Sequence, residues 1–386
     1  MSHITQPDSF ALHNARIVLG DDVIERGHVA VERGRIVDIG DGAAPPGSID
    51  LGGDLLLPGL VELHTDHLEA HCYPRPKVNW EPIAAVVSYD AQLATSGITT
   101  SLDSLRVWRE ESVESQQGQA EGLADAIAQA REAGLLRIEH FLHLRCEVPM
   151  PYVVEDAAAL AGRPDVRLIS LMDHTPGQRQ FRDLQKFRDY YRGKSGMSDA
   201  EIDDMSRRRL DASEQHAATN YRELLNLARL HDLPLASHDD TTIEHVEQSI
   251  SDRVSIAEFP TTVDAARRLH DAGIKVMMGA PNLVRGGSHS GNVAASDLAD
   301  QGTLDILSSD YVPSSLLLAA LRLPEISPGF SLPAAIATVT RNPARAVGLH
   351  DRGEIAPGKR ADIIRVHRTS VGVAVRSVWC AGRRVA

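Results

Sequence analysis

The chain reads as an α/β protein: a (β/α)8 TIM-type barrel carrying a small β-sandwich domain formed from both termini. Three observations predict this. Eight short apolar runs alternate with helical segments through the middle of the chain, the number that a closed parallel barrel requires. Nearly every run ends in a polar or ionisable residue, as expected where strand ends converge on one face. Both ends of the chain carry turn-punctuated β-prone stretches of another style, which combine most simply into one discontinuous unit. The expected boundaries are residues 1–57 with 345–386 for the composite β domain and 58–344 for the barrel, with a long helical excursion at about 175–234.

The elements justify that outline in order. Ala15–Leu19, His28–Glu32 and Gly34–Gly40 are β-prone runs, followed by the turn Pro45-Pro46-Gly47. Leu55-Leu-Leu-Pro-Gly-Leu-Val-Glu-Leu-His-Thr-Asp66 then opens the barrel as a buried strand that ends in ligand-type side chains. Further strands are expected at Ile98–Leu105, Arg137–Glu147, Val166–Met172, Leu235–Ser237, Val254–Ala257, Lys275–Met278 and Thr303–Ser309. Helices intervene, such as Glu114–Ala133 and Thr262–Ala272. A doubly wound sheet fits less well, because it needs fewer repeats and neither GxGxxG nor GxxxxGK[ST] is present. The excursion contains a capping box, Ser198-Asp-Ala-Glu201, and helical spacing over Asn220–Leu230. Its length suits a lid or a contact within a homo-oligomer. Gly353–Val366 and Val373–Trp379 return to the β style.

Composition limits the function. The 386 residues carry a net charge of -13, which disfavours nucleic acid and anionic membrane as partners. An anionic substrate therefore needs cations gathered locally. Three widely spaced cysteines, Cys72, Cys146 and Cys380, suit a reducing cytoplasm better than a disulfide framework. No signal-peptide pattern opens the chain, and no apolar run approaches the ~18 residues of a membrane span. The expectation is a cytoplasmic protein.

The strand ends carry the chemistry. His64 and Asp66 are two residues apart and so share one side of a strand. Other run ends supply Asp103, His143 with Arg145 and Glu147, Asp173-His174, His238-Asp239-Asp240, Glu258, Asn282 and Asp310. A single such carboxylate would merely cap the next helix, and a lone buried histidine is usually a hydrogen-bonded core residue. Recurrence on separate strands points instead to a divalent metal site. His64, Asp66, His174 and His238 can ligate, Glu147 has two oxygens with which to bridge two ions, and Asp310 is the natural general base or a further ligand. One or two ions are expected, with zinc ahead of manganese or iron.

A second group is cationic. Arg145, Arg179 and Arg285 lie at or just beyond strand ends. Arg285-Gly286-Gly287-Ser288-His289 opens a Gly-rich loop whose amides and side chains suit phosphate, although such loops are often no more than turns.

Several blocks resemble the amidohydrolase superfamily and, within it, the PhnM-like branch of phosphonate metabolism. They are Pro58–Asp66, Leu142–Glu147, Ser170–Phe181, Ala236–Asp240, Ala257–Thr262, Met278–Asn282, Arg285–Ala295 and Leu307–Tyr311. The resemblance implies a metal-dependent diphosphatase of the carbon-phosphorus lyase pathway. Its substrate would be α-D-ribose 1-methylphosphonate 5-triphosphate, an anionic sugar triphosphate, cleaved to the 5-phosphate and pyrophosphate by metal-activated water at the α-phosphorus. The superfamily's His-x-His is here His64-Thr65-Asp66, a departure that the branch shares, with His67 as the alternative second ligand. The usual bridging carboxylated lysine has no counterpart, and Glu147 stands in for it. Two other functions fit the scaffold: an amide or cyclic-amidine hydrolase or deaminase, and a non-catalytic subunit of a phosphonate-processing assembly.

Overall fold

A computed structural model describes residues 9–75, 78–108, 119–181, 184–288 and 291–386. The N-terminal strands are β1 (Ser9–Val18), β2 (Val23–Glu32), β3 (Arg35–Gly40), β4 (Ile49–Asp50) and β5 (Leu55–Pro58). The barrel strands follow: β6 (Leu60–Thr65), β7 (Ile98–Val107), β8 (Glu139–Glu147), β9 (Val166–Met172), β10 (Leu235–His238), β11 (Ile256–Glu258), β12 (Lys275–Gly279) and β13 (Ile306–Ser308). The chain closes with β14 (Ile363–Arg368), β15 (Val373–Cys380) and β16 (Arg383–Arg384).

Strands β6 to β13 pair in sequence order, and every ladder is parallel. Parallel strands covered on both faces must be apolar on both, which is why they read as runs and not as alternations. Val61, Leu63, Leu102, Leu168, Ala236, Ile256, Met277 and Ile306 fill the interior, with Ala344, Val347 and Leu349 of the following segment packed against them. Above this layer the inward positions turn polar, so the same strands that bury the core deliver the site.

The two edge strands, β6 and β13, are joined through one isolated bridge among the described residues, Thr65 with Asp310. The Asp310 amide donates to the His64 carbonyl at 3.1 Å. The fully buried Glu62 carboxylate spans the gap, accepting from the His64 amide and from the Ser309 amide, each at 2.7 Å. Lower down, the Val61 amide donates to the Val339 carbonyl and the Leu307 amide to the Thr338 carbonyl.

The terminal strands form one path, β16-β15-β14-β5-β1-β2-β3, with β4 beside β1. β5 pairs parallel to β1 and antiparallel to β14, so it joins the two ends of the chain. Their apolar interior includes Leu12, Ile17, Val29, Ile36, Leu56, Ile363 and Trp379. The step from β5 into β6 passes Gly59, where a Cβ would lie 2.2 Å from the Thr99 hydroxyl oxygen. Only glycine permits that approach.

Expected and observed elements coincide closely. The helix expected at Glu114–Ala133 is seen from Gln119 to Glu132, and residues 114–118 lie outside the described residues. The capping box at Ser198 and Glu201 is present and opens the helix Asp199–Ala212. Asn282 is no strand end: β12 stops at Gly279 and Pro281 starts a helix, Ala280–Arg285, that contains it. Among the described residues no helix is long and apolar enough to cross a membrane.

Asp103 points away from the site, into a buried network. Its carboxylate accepts from Tyr89 Oη at 2.9 Å and from Ser101 Oγ at 2.8 Å, and lies 2.8 Å from His140 Nδ1. His140 Nε2 reaches Asp90 at 3.3 Å, and Asp90 also accepts the amides of Arg137 and Ile138. Burial opposes a charged ring here, but Asp103 and then Asp90 outweigh it and push His140 up to about 9. A folded pKa raised above the unfolded value contributes stability that is fully present below about 6.5 and is lost as pH rises through about 9. We expect His140 to make the protein less stable by on the order of 3 kcal/mol across that window. In urea melts at pH 6 and pH 9.5, His140→Gln should flatten the difference; an equally steep dependence in the variant would refute the assignment.

Candidate metal centre

The C-terminal ends of the barrel strands open into a cavity of about 1170 Å³. Its floor is a cluster of imidazoles. His64 at the end of β6 and His238 at the end of β10 have ring centroids 5.7 Å apart, and His174, just after β9, lies 5.4 Å from His238. The Phe259 ring packs edge-on against both His64 and His238. Asp239, Phe259 and Asp310, each beyond a strand end, have φ of 55°, 54° and 53°. Left-handed backbone is costly for phenylalanine, and such residues gather where a side chain must be re-aimed.

Carboxylates fix the rings. Both oxygens of the buried Glu258 are occupied, by His64 Nδ1 at 3.0 Å and by His238 Nδ1 at 2.9 Å. Each ring then carries its proton on Nδ1 and keeps Nε2 as a lone-pair donor. Burial, and for His64 next the Arg145 charge, push these two imidazoles down to about 3, so both are neutral at ordinary pH. Glu147 orients His174 in the same way: one oxygen accepts the His174 amide at 2.8 Å and the other meets Nδ1 at 2.6 Å. Burial opposes the Glu147 charge, but His174 outweighs it and holds the carboxyl down at about 2.

Two sets of donor atoms converge, His64 with His238 and Glu258, and His174 with His238 and Asp239. Asp239 Oδ2 provides the test of fit. It is buried without a hydrogen-bond partner, 3.4 Å from His238 Nε2 and 3.9 Å from His174 Nε2. A carboxylate oxygen left bare among imidazole nitrogens is costly unless a cation sits there. This N/O donor set suits a borderline divalent ion. Burial, despite the nearby His174 and Arg179 charges, pushes Asp239 up to about 7.

The expected site residues divide. His64, His174 and His238 meet on the floor. Asp310 lines the cavity beside them; burial, then the neighbouring Asp66 carboxylate, push it up to about 7. Asp66 lines the cavity at the N-cap position of the helix His67–Cys72, without a side-chain cap, and faces Arg145, with Nη1 3.6 Å from its Oδ2, outside both donor sets. Glu147, placed to bridge two ions, has both oxygens committed to His174. His67 does not replace Asp66: its Nε2 lies 3.1 Å from the Gln92 amide oxygen, and it does not line the cavity. His143 is occupied too, by the Leu63 carbonyl at 2.9 Å and Ser170 Oγ at 2.8 Å.

Among the cations, Arg145 and Arg285 line the cavity with Ser288. Arg145 Nε and Nη1 are buried without hydrogen-bond partners, although Nη1 forms an ion pair with Asp66. Gly286 and Gly287 shape the turn through positive φ, and His289 lies outside the described residues. Arg179 is turned away. Its Nη1 donates to the His238 carbonyl at 2.7 Å and to Asp240 at 3.1 Å, bracing the strand end from behind. Residue-by-residue reading named Glu258 and Asp239 as strand ends without a role, and it overlooked Arg106, Arg208 and Arg209, which also line the cavity. The Arg207-Arg208-Arg209 run was the available signal.

A sequence model of the amidohydrolase family matches residues 198–385. The chain is 44% identical over 376 residues to the alpha-D-ribose 1-methylphosphonate 5-triphosphate diphosphatase of Escherichia coli (strain K12), covering 97% of this chain and 99% of that protein. It is 26% identical over 377 residues to an imidazolonepropionase of Deinococcus deserti, covering 87% and 85% respectively. Among solved structures, an N-acetyl-D-glucosamine-6-phosphate deacetylase of Mycobacterium smegmatis aligns with a TM-score of 0.64 at 16% identity, covering 98% of this chain and 100% of that one. An N-isopropylammelide isopropylaminohydrolase of Burkholderia multivorans aligns with a TM-score of 0.65 at 17% identity over 98% of each chain. These two likenesses concern the fold alone.

Proposed function

The chain belongs to the amidohydrolase family, and from that membership we propose that it is a metal-dependent diphosphatase acting on a ribose 5-triphosphate. Its substrate is α-D-ribose 1-methylphosphonate 5-triphosphate, and its products are the 5-phosphate and pyrophosphate. One observation carries the reading: a single cavity joins an imidazole floor fit for a divalent cation to walls bearing Arg106, Arg145, Arg208, Arg209 and Arg285. An amide or amidine hydrolase has no use for so many cations, and a non-catalytic subunit has none for the bare Asp239 oxygen.

His64, His174, His238 and Asp239 would hold the ion, with Glu258 and Glu147 orienting the rings. When bound, a divalent ion such as zinc supplies Lewis acidity and makes water a stronger acid. The chain's own residues do the rest. Arg145, a wall residue whose Nε and Nη1 lack hydrogen-bond partners, balances charge on the α-phosphate. Arg285, the last residue of the helix Ala280–Arg285, and Ser288, in the turn that follows, bind phosphate oxygens. Asp310 takes a proton from the attacking water. That water's oxygen bonds to the α-phosphorus, the bond from α-phosphorus to the bridging oxygen breaks, and pyrophosphate departs with the electron pair.

The test is to strip the protein with chelator, reload it with zinc, manganese or iron, and follow the ribose triphosphate by phosphorus NMR. Pyrophosphate and the 5-phosphate should appear in equal amounts with at least one metal. No cleavage with any of them refutes the reading.

A further inference from the structure

We propose that the helix Asp199–Ala212 carries a pyrophosphate-gripping subsite, in which Arg208 and Arg209 hold the β- and γ-phosphates of the substrate and then the departing pyrophosphate. The inference rests on the triphosphate reading above and names the residues that recognise the tail.

This helix belongs to the excursion between β9 and β10, not to the barrel's repeating pattern. One side is anchored by the buried Ile202, which packs with Phe187 in a small apolar cluster joined by Tyr191, Met197 and Met205. Another side faces the cavity. Met205, Arg208, Arg209, Asp211 and Ala212 line it, and all of them but Asp211 follow the i, i+3, i+4, i+7 spacing of one helical stripe. The stripe continues through a π turn, Ser213–Ala217, where Gln215 and His216 also line the cavity. Such wide turns recur where a helix must present side chains to a ligand. The next helix, Ala218–Leu230, locks the arrangement to the floor: Asn220 Nδ2 donates to the Val148 and Met150 carbonyls at 2.9 and 2.8 Å, just beyond Glu147.

The two arginines are poorly committed to protein anions. Arg209 is half-buried and donates to the neutral Tyr191 hydroxyl at 2.9 Å, its guanidinium 5.3 Å from that ring's centroid. Among the described residues it makes no ion pair. Among the described residues Arg208 makes one ion pair, with the exposed Asp204 at 3.4 Å, a contact of little weight. The bland alternative is a solvated helix face. Arg207 fits that description, since it pairs with Asp204 and does not line the cavity; Arg208 and Arg209 do line it. With the α-phosphorus on the imidazole floor, a diphosphate tail must extend toward a wall. Here that wall offers two forked donors matched to paired phosphates.

Calorimetry on the metal-loaded full chain tests this with two probes, pyrophosphate and ribose 5-phosphate. The double variant Arg208→Gln/Arg209→Gln should lose roughly 10- to 100-fold in pyrophosphate affinity. Ribose 5-phosphate affinity should change by less than about threefold, which also shows that the variant is folded. Arg207→Gln, facing away, should match the parent with both probes. Equal pyrophosphate binding by the parent and the double variant overturns the proposal. The two readings fail separately: if the parent binds pyrophosphate through these arginines but releases none from the ribose triphosphate, the subsite stands and the assigned reaction falls.

Discussion

Replacing His238 with alanine is expected to empty the metal centre and to lower turnover by at least about 10³-fold. His238 belongs to both convergent donor sets, and its Nδ1 is one of the two that Glu258 fixes. Its removal takes away a ligand nitrogen and also leaves one oxygen of a buried carboxylate without its proton donor. Elemental analysis of the dialysed variant, beside the parent, gives the decisive number. A variant that keeps the parent's metal content and rate would show that the ion sits elsewhere.

Asp310→Asn should separate catalysis from metal binding. The amide has nearly the carboxylate's shape but cannot accept a proton, and loss of a general base typically costs about 10²- to 10⁴-fold in rate. Asp310 lines the cavity yet stands outside both donor sets, so metal content should stay at the parent's level. Loss of metal together with rate would make Asp310 a ligand and send the search for the base to Asp66 or Asp239.

The barrel was legible because parallel strands buried on both faces leave a mark in the sequence: short apolar runs, each ending in a polar residue. His64, His174, His238 and Asp310 were legible for the same reason, as strand ends of one fold share a face. Roles were harder to read than positions. Glu258 was visible as a strand end, but its work depends on meeting His64 across 194 positions and His238 across 20, which no local pattern records. Arg179 and Arg209 make the opposite pair. Arg179 sits beside His174 in sequence, but its positive φ of 47° sets its course, and its guanidinium ends behind the site on the His238 carbonyl. Arg209 is remote in sequence and lies on a helix whose periodicity defines a stripe without saying what the stripe faces.

The seam between β6 and β13 has a consequence for how this molecule stays whole. A hoop of eight strands is closed here by a clasp: one bridge, one buried carboxylate and a stretch of chain tucked beneath. His64 belongs to the first bank of that clasp, and Asp310 lies at the other. An occupant of the space between the imidazoles would tie His64, on that bank, across the barrel mouth to His238 and His174, beyond β10 and β9. Affinity for that occupant becomes resistance of the whole hoop to opening, in proportion to how completely the centre is filled.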